Sequence, residues 1–317
     1  MYRAENLIHR KDAEDREPAQ RKTSARTLRP LRLGSERDSG SKTPGSIRGK
    51  LVEWVLIAIV VLYAAGLLLA PLLAIFWGAL AEGFGAVARE ITSADAISSL
   101  KLTLIMAVSA TVINTVFGLC IAWVLVRDKF WGRRILNGLV DMPFAVSPVI
   151  AGFMLILLFG RTGWLTPVTE ALGIKVVFAL PRILLATIFI SLPFVIREVA
   201  PVLGQVSLDQ ENAALTIGAN RLQTFWHVTL PAIRWGLLYG VSLTFARAVG
   251  EIGAVLVVSG GVSRLTETST LFIFRSLDDR NYVGANAMAV VLAGISFAIL
   301  TVIEYLKKRT EQRGILN

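Results

Sequence analysis

Six stretches of the chain are apolar on every face for about the twenty residues that cross a bilayer core. They cover residues 54–78, 102–126, 135–159, 183–203, 235–258 and 285–306. None shows the polar stripe of a surface helix, so the pattern predicts an all-α, membrane-embedded bundle. The fourth stretch is the most polar, because Arg197 and Glu198 fall near its end. Residues 1–50 are different: they hold 13 Lys/Arg and 7 Asp/Glu, are rich in Ser, Gly, Pro and Thr, and show no apolar period. Such a segment buries too little surface to offset its ordering entropy, and is expected to be a disordered basic cytoplasmic tail. It serves either as a solvated tail that helps fix topology or as a lure for anionic lipid headgroups. The run from Gly34 to Thr43, GSERDSGSKT, has neither the spacing nor the preceding strand of a phosphate-binding loop.

Composition sharpens this picture. Hydrophobic residues make up 54% of the 317 and charged residues 18%, against about 45–50% and about 25% in soluble domains. A soluble globular protein is excluded. Cys120 is the only cysteine, so no intrachain disulfide framework exists. Two histidines and one cysteine leave little for a zinc site. The net charge of +10 is explained by where it sits. With a cytoplasmic N-terminus, the inside segments are 1–53, 127–134, 204–234 and 307–317. Arg127, Lys129, Arg133 and Arg134 crowd the second of these, and Lys307, Lys308, Arg309 and Arg313 the last. That excess of inside charge predicts both termini in the cytoplasm. No aromatic–basic interleaving points to nucleic acid.

The segment joining the fourth and fifth stretches is longer than ordinary connections, yet it is not compositionally disordered. Ser207 with Gln210, and Asn220 with Gln223, fit capping boxes. Gly218 suits the left-handed residue that ends a helix, and Pro231 suits a first helical turn. The spacing predicts helix, glycine break, helix and membrane re-entry. Its apolar residues Ala213, Ala214, Leu215, Ile217, Leu222, Phe225 and Trp226 either meet another subunit or fold back onto the bundle.

Ala213-Ala214, Gly218, then Val228-Thr229-Leu230-Pro231 resemble the EAA loop of ABC importer permeases, with its spacing fully kept. Asn212 stands where that family usually has Glu, with Glu211 one residue earlier, and Val228 replaces an Ile. The run Asp141 to Gly152 resembles the third-span signature of sulfate and molybdate permeases. The runs Ile196 to Val202, Ile233 to Gly240 and Ala246 to Gly260 resemble the W-type subunits of sulfate/thiosulfate permeases. The likeness covers about residues 51–310.

The resemblance implies a six-helix type I (MetI-like) importer permease in the bacterial cytoplasmic membrane. Residues 51–310 would form the permease domain, 204–234 its coupling loop and 311–317 a cytoplasmic end. Glu211, Asn212, Ala213, Ala214, Gly218, Val228, Leu230 and Pro231 would engage a cytoplasmic ATPase dimer. The implied partners are that ATPase, a second related permease subunit, an external sulfate-binding protein and the lipid bilayer. The subunit itself would be non-catalytic and bind no cofactor, with ATP and Mg held by the ATPase. A molybdate or tungstate permease and an ion-driven transporter are the rival readings.

Two intramembrane features are candidates for the path or gate. Arg247 and Glu251 lie four residues apart on one helical face. They either line an anion path or pair with each other. Asp141, Pro143, Ser147 and Pro148 interrupt the third stretch. Broken helices line transport cavities, and prolines also make plain packing kinks. Ser147 would offer a neutral donor to an oxyanion.

Overall fold

The computed structural model describes residues 47–160, 163–171 and 179–314, so the expected tail lies almost wholly outside the described residues. The chain divides into two units, residues 1–63 and 64–317. In the first, residues 47–63 are helical, and apolar side chains such as Trp54, Val60 and Leu62 are exposed. The rest of that helix, α1 (Ile47–Leu80), belongs to the second unit with all that follows.

The described residues form helices and no strand. After α1 come α2 (Phe84–Ile91), α3 (Ala94–Arg127), α4 (Arg133–Ala145), α5 (Pro148–Phe159), α6 (Thr166–Ala171) and α7 (Ala179–Gln205). The loop carries α8 (Leu208–Thr216) and α9 (Arg221–Thr224), and α10 (Leu230–Val249), α11 (Gly253–Val258), α12 (Ser269–Asp278) and α13 (Tyr282–Gly314) complete the chain. Among the described residues, four helical segments are long and apolar enough to cross a bilayer: Val52–Leu80, Ala94–Arg127, Leu180–Gln205 and Tyr282–Tyr305. They correspond to the first, second, fourth and sixth apolar stretches.

The third and fifth stretches are not single helices. The third turns by 114° between α4 and α5. Proline disfavours helical geometry in the residue before it, and Ser147 accordingly has ψ 137° ahead of Pro148. The fifth begins earlier than hydropathy indicates, at Leu230, and stops at Val249. Gly250 to Ile252 then break it before α11.

At the core, α7 packs between α3 and α10. Glycines allow this approach. A Cβ on Gly118 would stand 2.9 Å from the Val195 Cβ, and one on Gly236 2.8 Å from a Val202 methyl. Small residues bring helix backbones close where lipid supplies no hydrophobic drive for association. Val195, Ile196, Val199 and Leu203 of α7 are fully buried against Ala122 and Leu125 of α3 and Ile233 of α10. Asn114 of α3 adds a polar tie, donating to the Ile188 carbonyl at 3.1 Å and the Ser191 hydroxyl at 2.9 Å.

Candidate functional site

The loop is built largely as its sequence indicates. Ser207 caps α8 by accepting the Asp209 N–H at 3.1 Å. The answering contact expected from Gln210 is replaced by a bond from Ser207 Oγ to Asp209 Oδ2 at 3.2 Å. Asn220 and Gln223 form a complete capping box, with both bonds at 2.8 Å. Gly218 has φ +96°, the left-handed backbone that ends α8. Beyond it no re-entry break occurs. A π turn at Phe225–Thr229 joins α9 directly to α10. A helix therefore runs uninterrupted from Arg221 to Val249, about 40 Å long.

Two side chains hold the loop to the bundle. Glu211, 8% exposed, receives a 2.6 Å contact from the Arg127 guanidinium at the end of α3 and a 3.1 Å bond from the Thr229 hydroxyl. Arg127 also donates to the Val206 carbonyl at 3.2 Å. Phe225 packs edge-on against Trp123, with centroids 5.6 Å apart. Asn212 and Ala213 face outward, Ala214 is half-buried, and Gly218 and Pro231 are exposed. Val228 and Leu230 are half-buried. Of the apolar loop residues, Phe225 folds back onto α3, whereas Ile217, Leu222 and Trp226 stay exposed at 87%, 66% and 57%. A groove of about 550 Å³ opens among Arg127, Glu211, Leu215, Leu222 and Phe225. The loop thus shares one end of α3 with residues 127–134.

The two breaks meet inside the bundle. A Cβ on Gly253 would lie 2.8 Å from the Pro148 Cβ, and one on Gly152 would lie 2.9 Å from the Ala254 carbonyl oxygen. The start of α5 is therefore pressed against the start of α11. Glu251 sits in the second break, 3% exposed. One of its oxygens accepts the Ala254 N–H at 2.9 Å, and the other pairs with the Arg247 guanidinium at 2.6 Å. The Glu251 carbonyl accepts the Thr270 hydroxyl at 2.8 Å. Arg247 and Glu251 thus pair with each other in this structure. Ser147 is exposed between α4 and α5, and among the described residues its hydroxyl has no partner. Asp141 is engaged elsewhere, with the Arg197 guanidinium of α7: Nε donates at 2.7 Å and Nη2 stands at 2.5 Å.

Apolar periodicity did not reveal a charged clamp at the other end of α3, about 50 Å from Arg127. Asp95 pairs with Arg264 at 2.5 Å and Arg275 at 3.5 Å, and Arg275 pairs with Glu267 at 2.7 Å. Glu267 is 2% exposed, and burial holds its carboxyl above the usual glutamate range although Arg275 pulls it down. Arg264, at φ +65°, turns the loop that reaches Asp95. Among the described residues no group of three His, Cys, Asp or Glu side chains could hold a metal ion.

Apolar helices, a loop levered onto one of them, and two broken helices packed break to break define a membrane permease. Residues 114–313 match the family of binding-protein-dependent transport system inner membrane components, and the chain belongs to that family. It is similar to the sulfate transport system permease protein CysW of Synechocystis sp., at 46% identity over 82% of this chain and 94% of that protein. The CysW protein of Escherichia coli K12 is 39% identical over 83% of this chain and 91% of its own length. Sulfate permease 2 of Chlamydomonas reinhardtii, a chloroplast protein, is 43% identical over 82% of this chain and 70% of its own. Among solved structures, a bacterial ABC transporter that imports the polysaccharide alginate superposes with TM-score 0.70 at 17% identity, covering 83% of this chain and 97% of that one. The fold is therefore that of an ABC importer permease, multi-pass and all-α. The family is that of a translocation subunit rather than an enzyme.

Proposed function

We propose that the chain is one of two permease subunits of an ATP-driven importer of sulfate and thiosulfate. The observation that carries this reading is the continuous helix from Arg221 to Val249, which joins the loop to the break holding Arg247 and Glu251. The loop end faces the cytoplasm, as do both termini, in keeping with the basic residues 127–134 beside it. Residues 207–231 dock on a cytoplasmic ATPase dimer, which binds ATP and Mg. Asn212, Ala213, Ile217 and Leu222 supply the exposed contact surface. Glu211 holds the loop from behind.

When the ATPase dimer closes, it draws the loop with it. A helix transmits that displacement without a hinge, so the far end of α10 moves against α11 and α5. The packed breaks then separate or close, and the path between the two permease subunits alternates its opening. The Arg247–Glu251 pair is neutral as a whole and acts as part of the gate rather than as an anion trap. Selectivity resides mostly in an external sulfate-binding protein that delivers the ion.

The test is uptake of radiolabelled sulfate into vesicles containing the chain with its second permease subunit, its ATPase and its binding protein. ATP-dependent uptake that thiosulfate competes and molybdate does not is the expected result. Uptake driven by an ion gradient without ATP overturns the reading.

A further inference from the structure

We propose that a hollow at the loop end of the bundle binds a tetrahedral oxyanion. It measures about 440 Å³, and its polar wall consists of Arg133, Arg134, Asn137 and Arg197. Leu125 and Val126 of α3 and Ala200 of α7 form the apolar remainder. Three guanidinium groups therefore border one small space. Arg197 is held in place, bonded to Asp141 and, through Nη2, to the Asn137 side-chain oxygen at 3.0 Å. Arg133 and Arg134 are both exposed, and among the described residues neither has an ion pair or side-chain hydrogen bond.

Like charges so close repel one another, and Asp141 answers only one of the three. An anionic ligand relieves that imbalance. Guanidinium forks match the paired oxygens of a tetrahedral oxyanion and bind it in bidentate fashion. The apolar side of the hollow lowers the local dielectric and strengthens each contact. A basic segment that only sets topology needs no shared cavity.

The chemistry fits two sources: a small dianion leaving the path, and the phosphate of an anionic lipid in the same leaflet. The first rests on the import reading above and the second does not. The experiment uses the full chain in nanodiscs of two compositions. In neutral phosphatidylcholine discs, radiolabelled sulfate is titrated against chloride at equal ionic strength. In discs containing phosphatidylglycerol, retained lipid is counted by native mass spectrometry.

The hollow should bind sulfate in the first arm or retain phosphatidylglycerol in the second. The double substitution Arg133→Gln with Arg134→Gln should weaken that binding by at least about tenfold. Neither arginine has a partner to lose, so the fold should survive, and a thermal melt checks this. Arg133→Lys with Arg134→Lys keeps the charge but not the fork, and should restore binding only in part. The proposal falls if neither ligand binds above the chloride and neutral-lipid controls, or if the double Gln variant binds like the parent. Sulfate uptake by the assembled transporter is scored separately. Its failure alongside intact binding sinks the import reading and leaves this site standing.

Discussion

Arg127 and Glu211 lie 84 residues apart in sequence and 2.6 Å apart in space, so the end of a membrane helix is clamped to the first helix of the loop. Both side chains are 11% exposed. Replacing Glu211 with Ala strands a nearly buried guanidinium that keeps the Val206 carbonyl and the face of the Trp123 ring. The expected loss is about 3 kcal/mol, the low end for a buried pair because some water reaches it. Arg127→Met with Glu211→Leu should recover part of that loss. A double-mutant cycle on the purified chain, read by thermal unfolding, checks the coupling. Additive effects would mean the contact holds nothing.

How far the sequence announces this arrangement depends on whether the signal is local. Asn220 with Gln223 and Gly218 are read correctly because caps and positive φ are decided within a few residues, whereas Pro231 starts no new helix, since the π turn carries α9 straight into α10. The uninterrupted crossings are read correctly because lipid imposes a length and an apolar surface. The breaks at 145–148 and 250–252 are harder, because averaged hydropathy bridges them. Pro148 marks the first, but Gly250 and Gly253 mark the second only once their neighbours are known. Pairs such as Arg197 with Asp141 or Arg264 with Asp95 join residues 56 and 169 apart, and no periodicity reports them. Glu211 is the instructive case. Its place beside the outward-facing Asn212 hints at a substitute contact, yet its carboxylate turns inward.

Gly218 separates backbone strain from docking. Its φ of +96° suits glycine, while a Cβ built there meets nothing within 4 Å. Gly218→Ala should therefore cost the isolated subunit only about 1 kcal/mol. On the proposed coupling role, any larger loss of uptake reflects docking of this exposed surface. Gly218→Asp should leave membrane insertion intact and abolish ATPase co-purification and uptake. Asn212→Glu should be tolerated, since Asn212 is exposed. Normal uptake by the Asp variant would remove the loop from the coupling path.

The two members of the Arg247–Glu251 pair should respond differently. Among the described residues Arg247 has Glu251 as its only polar partner, whereas Glu251 also accepts the Ala254 N–H. Glu251→Ala thus loses a salt bridge and a buried cap together, and should be the most damaging single change. Glu251→Gln retains an acceptor and should recover assembly. Removing both charges as Arg247→Ala with Glu251→Gln should disturb assembly less than Arg247→Ala alone, which leaves a buried carboxylate unpaired. Yield of monodisperse protein and vesicle uptake are the readouts. Equal damage from Glu251→Gln and Glu251→Ala would refute the cap.

Glu267 should make stability depend on pH. Burial raises its carboxyl above the usual value, against the pull of Arg275, and the nearby Asp95 adds to the rise. The folded state therefore favours the protonated acid. This stabilisation is complete below the ordinary glutamate value and is lost as pH rises through the elevated one. Glu267→Gln is neutral throughout, so it should flatten that fall. Arg264 and Arg275, the cations of the clamp, keep Asp95 as partner in the variant. Thermal unfolding from acid to neutral pH decides it, and an unchanged slope would exclude Glu267 as the titrating group.

The contact between the breaks yields the most direct test of the gate. A methyl on Gly253 would sit 2.8 Å from the Pro148 Cβ, and Pro148 cannot swing aside because its ring is fixed to the backbone. A methyl on Gly152 would sit 2.9 Å from a backbone oxygen of α11. Neither neighbour is a flexible side-chain end, so each alanine must push α5 and α11 apart, at about 1–3 kcal/mol. Gly250→Ala is the matched control, because its Cβ comes no nearer than 3.6 Å to any atom. Gly152→Ala and Gly253→Ala should insert and bind the ATPase, since the loop lies at the far end of α10. Their ATP hydrolysis should come uncoupled from sulfate uptake, while Gly250→Ala behaves as the parent. If both close-packed glycines accept alanine with coupled uptake unchanged, the contact between Pro148 and Gly253 is packing alone, and the gate must lie elsewhere in the bundle.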